Sequence, residues 1–221
     1  MTNLKVEVKK SWEVFINNFI KFMFLITLLF IIGQGNDFMK SNHISRILSM
    51  LILPLTIFIQ LMVVHIVISS ENSNFNDLIR KSFKEYKEVF IIVGLQLLIL
   101  AATIFTIIPI IPMLIIQCLF IFVWPIFVVE KKTRFEAILA SLQLVSKNIK
   151  DLFKYLVLYI IIILVIAFIL TLTNGLQMNT VENVVIVSVK YFERFVTLFF
   201  TLMFTRLYLL YRNRRESTKV E

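Results

Sequence analysis

The residues of this 221-residue chain that could do chemistry are few: two histidines, one cysteine, and some polar side chains set inside apolar runs. His43 and His65 are expected on opposite sides of a membrane, so they cannot share a metal. Cys118 stands alone in an apolar run, which excludes a disulfide framework and a thiolate metal site and leaves a small buried or lipid-facing hydrophobe. The chain has no HExxH pair, no GxSxG elbow, no Gly-rich phosphate loop and no CxxC. No two carboxylates fall within the apolar runs, so intramembrane aspartyl proteolysis and carboxylate-driven proton coupling lack their parts. We therefore expect no catalytic residue, no metal and no cofactor.

What remains is Gln60, His65, Gln96, Gln117 and Arg206, polar groups inside apolar segments. Such groups are costly in hydrocarbon and are functional candidates for that reason. The single uncharged glutamines suit helix-to-helix hydrogen bonds. His65 lies about one turn from the end of its apolar run, which favours a headgroup contact or an interhelical hydrogen bond over a proton relay. Arg206 lies five residues before Tyr211, ~7–8 Å deep at 1.5 Å per residue, and can reach the headgroups. Glu130 is expected at a similar depth, so an Arg206–Glu130 ion pair is the sharper reading, relieving the burial of both charges.

The elements that must hold these residues are membrane spans. Hydrophobic residues make up 59% of the chain, charged residues 17%, and mean hydropathy is +0.88. A soluble domain is about 25% charged, and a chain of this size could not bury so much Ile, Leu and Phe. With four Gly and four Pro among 22 Phe, long helices are favoured over β-structure. The expected fold is an all-α, polytopic membrane bundle of about six spans: 15–32, 47–68, 89–108, 113–129, 152–172 and 195–211. Gly33-Gln34-Gly35-Asn36-Asp37 should end the first span, and Thr173-Asn174-Gly175 the fifth.

Val89 to Val129 is 41 residues without a charge, ~60 Å as one helix and about twice the hydrocarbon thickness. It must fold back, and Pro109-Ile110-Ile111-Pro112 is the natural place. Residues 71–88 and 130–151 are charged yet carry apolar side chains at helical spacing, the pattern of amphipathic helices lying on the membrane. Residues 181–194 read either as an outer interfacial helix or as the first turns of span six. No small-residue cleavage site follows the first apolar run, so that run should stay as an anchor.

On this map 19 of the 23 basic residues fall on one side, leaving Lys40, Arg46, Lys190 and Arg194 on the other. The positive-inside rule then places both termini in the cytoplasm of a bacterial cell membrane. It also accounts for the net charge of +9 through attraction to an anionic inner leaflet, with no nucleic-acid partner. Richness in Ile, Lys, Phe and Asn points to an AT-rich bacterial genome.

A loose pattern recurs before three pairs of spans: Ser11-Trp12-x-x-Phe15-x-x-x-Phe19, Ser82-Phe83-x-x-Tyr86-x-x-x-Phe90 and Ser141-Leu142-x-x-Val145-x-x-x-Ile149. Each would be a helix skimming the inner surface before turning into a span. The same spacing also arises by chance in amphipathic helices.

The stretch from Trp124-Pro125 through Glu130, Ala137, Ser141 and Leu144 resembles a proline–glutamate–alanine–serine signature that follows the fourth span in a broad group of uncharacterised bacterial membrane proteins. The group includes the membrane region fused to some glycerophosphodiester phosphodiesterases. The resemblance implies a six-span layout and says little about activity, because the fused relatives' catalytic domain has no counterpart here. Physically, Pro125 is expected to kink the fourth span near its inner end, and Glu130 to cap the following helix. Ala137 and Ser141, four apart, should form a small-residue strip for close helix packing.

The expected role is non-enzymatic and exerted through contacts. Candidates are an accessory subunit of a transporter, a self-protection factor against membrane-active peptides, and an envelope-stress component. The alternative is a small transporter or channel with a cavity between the repeated helix pairs. Against it stand the absence of gating arginines, of an acidic ring and of visibly broken helices.

Overall fold

Asn3 starts the first helix by accepting a hydrogen bond from the Lys5 amide at 3.1 Å, the usual N-cap role of an asparagine. In this computed structural model, which describes residues 3–38, 42–69, 74–103, 121–174 and 180–217, that helix is the first of seven. They are α1 (Leu4–Asn17), α2 (Phe19–Phe38), α3 (Asn42–Ile68), α4 (Phe75–Thr103), α5 (Val123–Glu130), α6 (Arg134–Asn174) and α7 (Thr180–Ser217). No strand occurs among the described residues. The protein is all-α.

The chain turns through 88° between α1 and α2. Two poor helix formers in a row, Asn17 and Asn18, make the corner. Buried Asn18 satisfies it locally: its Nδ2 donates to the Val14 carbonyl at 3.2 Å, and its Oδ1 accepts from Lys21 Nζ at 3.0 Å. A separate helix, α2, therefore starts at Phe19, inside the expected first span that opens at Phe15. The expected stop at Gly33 is also corrected, since α2 runs on to Phe38. Each glycine costs ~1 kcal/mol of helix propensity, but no proline removes an amide donor there. The Arg194 guanidinium lies beside Gly33, its Nη2 3.4 Å from where a Cβ would stand.

Both membrane-skimming helices expected as separate elements prove continuous with the apolar segments that follow. α4 joins most of 71–88 to the start of the apolar run expected as span three, and α6 joins 134–151 to the run expected as span five. The sequence changes polarity at Val89 and Leu152, but nothing there breaks a helix. α7 likewise absorbs 181–194 into the last helix. Of the three segments sharing the serine pattern, only α1 turns before the next element. The proline hairpin, Cys118 and Gln117 lie outside the described residues.

Burial nonetheless follows the threefold spacing. Ser11, Ser82 and Ser141 are all fully buried, and Glu7, Leu78 and Ala137 four residues before them are buried too. Phe19, Phe90 and Ile149, at the last position of the pattern, are 48%, 47% and 45% exposed. Three segments thus present the same face inward.

α7 is the central post. Leu198 and Leu202 pack into a cluster with Phe15, Phe22, Leu25 and Met62 of α1, α2 and α3. Its opposite face, including Phe204, Leu207 and Tyr208, packs with Ile126 of α5 and Val145, Leu152 and Tyr155 of α6. A smaller cluster ties Ile57 and Leu61 of α3 to Val89 of α4 and Val128 of α5.

One described helix is long and apolar enough to cross a membrane, Phe135–Leu172 within α6. The bent α1–α2 pair passes the same test jointly, and Pro54–Ile68 of α3 is a shorter apolar stretch.

Candidate functional site

The polar residues gather at one end of the bundle, around the last third of α7. Residues on a helix are rotated ~100° from one to the next, so Arg206 and Tyr208 point to nearly opposite sides while Tyr211 returns toward the side of Tyr208. Arg206 faces α1. Its Nη2 lies 3.9 Å from Glu7 Oε2, and its Nη1 donates to the Lys10 carbonyl at 2.5 Å. Tyr208 and Tyr211 face the other way, donating to Glu130 Oε1 at 2.8 Å and to Asp151 Oδ2 at 3.3 Å.

This geometry corrects the Arg206–Glu130 pair. The two residues do share one end of the bundle, but they lie on opposite sides of α7. Glu130 is held instead by Tyr208 and by Lys132, whose Nζ is 2.5 Å from Oε2. Burial pushes the Glu130 carboxyl up. The hydrogen bonds from Lys132 and Tyr208, with the charges of Lys132 and Arg212, outweigh it and hold the group below its ordinary value.

Glu130 does not cap the next helix either. It is the last residue of α5, followed by Lys131 in the left-handed conformation (φ 49°). The cap belongs to Glu136, whose Oε2 accepts from the Thr133 amide at 3.0 Å, half of a capping box. The kink expected at Pro125 involves the preceding part of the fourth span, 113–120, which lies outside the described residues. Pro125 sits in the first turn of α5, one residue before Ile126 makes the first helical bond, to the Phe122 carbonyl at 3.0 Å. A proline there removes no bond that the helix needs.

Ala137 and Ser141 are buried on α6, and Ala137 belongs to the core cluster that also holds Val123 and Ile126 of α5. His65 is buried, and its Nε2 lies 2.9 Å from Glu85 Oε2 on α4, an interhelical bond of the expected kind. Gln60 is half-buried on α3.

Four carboxylates thus each join two elements: Glu7 to Arg206, Glu85 to His65, Glu130 to Tyr208 and Asp151 to Tyr211. Reasoning from sequence passed over Glu7, Glu85 and Asp151 because they lie at or outside the edges of the apolar runs, and over Tyr208 and Tyr211 because an aromatic ring there reads as part of the apolar run. The available signal was the spacing of Glu7, Ser11 and Phe15, which sets Glu7 on the buried face of α1. No group of three metal-binding side chains occurs among the described residues. Acid–hydroxyl and acid–base pairs in this arrangement can fasten helices to one another. Compared with known protein families, with characterised proteins and with solved structures, the chain matches none.

Proposed function

We infer that the protein is a multi-pass component of a bacterial cytoplasmic membrane, with six spans and both termini inside, acting through contact with another membrane protein and not by catalysis. The observation that carries this reading is the outer face of α6. Ile161, Leu164, Val165, Phe168 and Leu172 are exposed, and only 17% of the most apolar 18-residue window is buried. In water each such side chain would forgo about 2 kcal/mol of burial, a loss that lipid removes. α2 presents Ile20, Phe24 and Ile31 in the same way.

Further support comes from the ends. The N-terminal helix packs on the last turns of α7 beside the end of α3, which brings the basic residues Lys10, Arg206 and Arg214 to one end of the bundle. That arrangement fits an even number of spans with the basic end inside. The role by contact is supported by the use of the polar groups, since the four carboxylates are engaged in joining elements to one another. The resemblance of the Pro125–Leu144 stretch to uncharacterised bacterial membrane proteins agrees with this reading.

Gentle detergent purification of the tagged protein, with mass spectrometry of what accompanies it, tests the role. A stoichiometric membrane partner such as a transporter subunit is expected. A solitary protein overturns the accessory reading and favours a small transporter or channel. Reporters fused at Asn36 and Gln177 should read external and at Asn76 and Glu136 cytoplasmic; the opposite pattern overturns the topology.

A further inference from the structure

One face of α7 carries Arg206, Leu209, Leu210, Asn213, Arg214 and Ser217, at intervals of three and four that align them along the helix. One face of α1 carries Glu7, Lys10 and Val14 at the same intervals. Where these faces meet beside Val67 of α3, they enclose a groove of about 580 Å3. Its walls have two characters. Lys10, Arg206, Arg214 and Glu7 line the charged side, while Val14, Val67 and Leu210 form an apolar side.

Arg206 is fixed in place before any ligand arrives. Buried Glu7 and the Lys10 carbonyl engage its two terminal nitrogens, and a fifth of its side chain, 21%, remains exposed. A guanidinium has five N–H donors in a planar fork suited to the oxygens of a phosphate. Lys10 and Arg214 lie on the exposed rim, on different helices. A free phosphate would need the cations but not the apolar side. A phosphate esterified to glycerol, with acyl chains attached, uses both. The groove volume is also in the range of small-molecule sites.

We propose that this groove between α1 and α7 binds the headgroup of an anionic phosphoglyceride, its phosphate on Arg206, Lys10 and Arg214 and its glycerol and first methylenes on Val14, Val67 and Leu210. The proposal rests on the membrane reading above, which puts this end of the bundle at headgroup depth. It adds a defined site to the general attraction between a basic protein and an anionic leaflet. Because α1 forms one wall, occupancy would also brace the N-terminal helix against α7.

The test uses the full chain in detergent, titrated with phosphatidylglycerol or phosphatidylcholine and read by native mass spectrometry. The protein should retain one phosphatidylglycerol in clear preference to phosphatidylcholine. The double variant Lys10→Gln/Arg214→Gln changes exposed side chains and should fold, as circular dichroism will verify. It should lower the phosphatidylglycerol affinity roughly thirtyfold, the loss of the attraction that each of the two basic residues exerts on an anionic headgroup. The control Lys81→Gln/Lys84→Gln removes the same charge from α4 and should leave affinity within about twofold of the parent. Equal losses in the two variants would mean a diffuse electrostatic effect and overturn the site. Inorganic phosphate at millimolar concentration should fail to displace the lipid; full displacement would assign the cations to a soluble phosphate and overturn the lipid. Alkaline carbonate extraction of native membranes is run alongside. A protein that stays in the pellet but shows no difference between variants fails the site alone, whereas one released by carbonate fails the membrane reading itself.

Discussion

The N-terminal segment and α6 carry the same spacing of serine and apolar residues, yet the chain bends by 88° after the first and runs straight through the second. Asparagine alone is not the cause. Asn18 and Asn148 occupy equivalent positions, and each donates its side-chain amide to the carbonyl four residues back, at 3.2 and 2.9 Å. Two differences separate them. Asn18 follows a second asparagine where Asn148 follows Lys147, and α1 is gripped from outside by Arg206. A corner therefore needs both a weak point in the helix and a tertiary contact that holds the bent form.

The largest effect should come from removing that grip. Arg206→Ala leaves buried Glu7 without its cation. Losing one partner of a fully buried pair costs about 3–5 kcal/mol, but the long 3.9 Å contact and the partial exposure of Arg206 bring the expected cost to about 2 kcal/mol. Hydrogen exchange should show α1 amides losing protection while α6 amides keep theirs. Equal loss in both helices would mean that Arg206 supports the bundle as a whole.

The opposite face of α7 offers the counterpart. Tyr208→Phe keeps the ring in the core and deletes the bond to Glu130, costing about 1–2 kcal/mol as a bond to a charged acceptor. Because the folded Glu130 carboxyl titrates below its ordinary value near 4.5, its contribution is fully present above that value and is lost as pH falls through the lower, folded one. The variant should show less of this acid dependence than the parent in denaturation followed from pH 6 to pH 3. An unchanged profile would remove Tyr208 from the account of Glu130. α1 should be untouched.

A third test straightens the corner. Asn17→Leu/Asn18→Leu restores about 1 kcal/mol of helix propensity over the two positions. Spin labels at Val6 and Leu28 should then show a second, longer distance, whereas Asn148→Leu should leave the shape of α6 unchanged. A single unaltered distance would show that the tertiary grip alone sets the bend.

Much of this organisation can be read from residue order, and its failures share a cause. Periodicity located the helices. Helix boundaries were misplaced at Val89 and Leu152 because a change of polarity marks where surroundings change, not where the backbone does. The depth of Arg206 follows from a rise of 1.5 Å per residue, but its partner depends on which helix lies on which side. That is a tertiary fact, and it sends Arg206 to Glu7 and leaves Glu130 to Tyr208. Glu7 itself was hidden by its neighbours, since Lys5, Lys9 and Lys10 make the segment look like a solvated leader.

The smallest effects should come from the serines that define the shared pattern, and they distinguish its three copies most finely. Ser11 and Ser82 bury their hydroxyls without a hydrogen-bond partner. Ser141 is equally buried but does interact. A buried hydroxyl without a partner is a net cost, so replacing it with a methyl group removes a penalty without opening a large cavity. Ser11→Ala and Ser82→Ala should each stabilise by about 0.5–1 kcal/mol, while Ser141→Ala should destabilise by a similar amount. Thermal unfolding in one detergent, with the three variants compared at equal lipid content, gives the signs directly. A uniform sign across all three would mean that the serines serve only as small residues for close approach. Opposite signs would mean that one packing pattern has been retained in three places while its hydrogen bonding is completed only in the third.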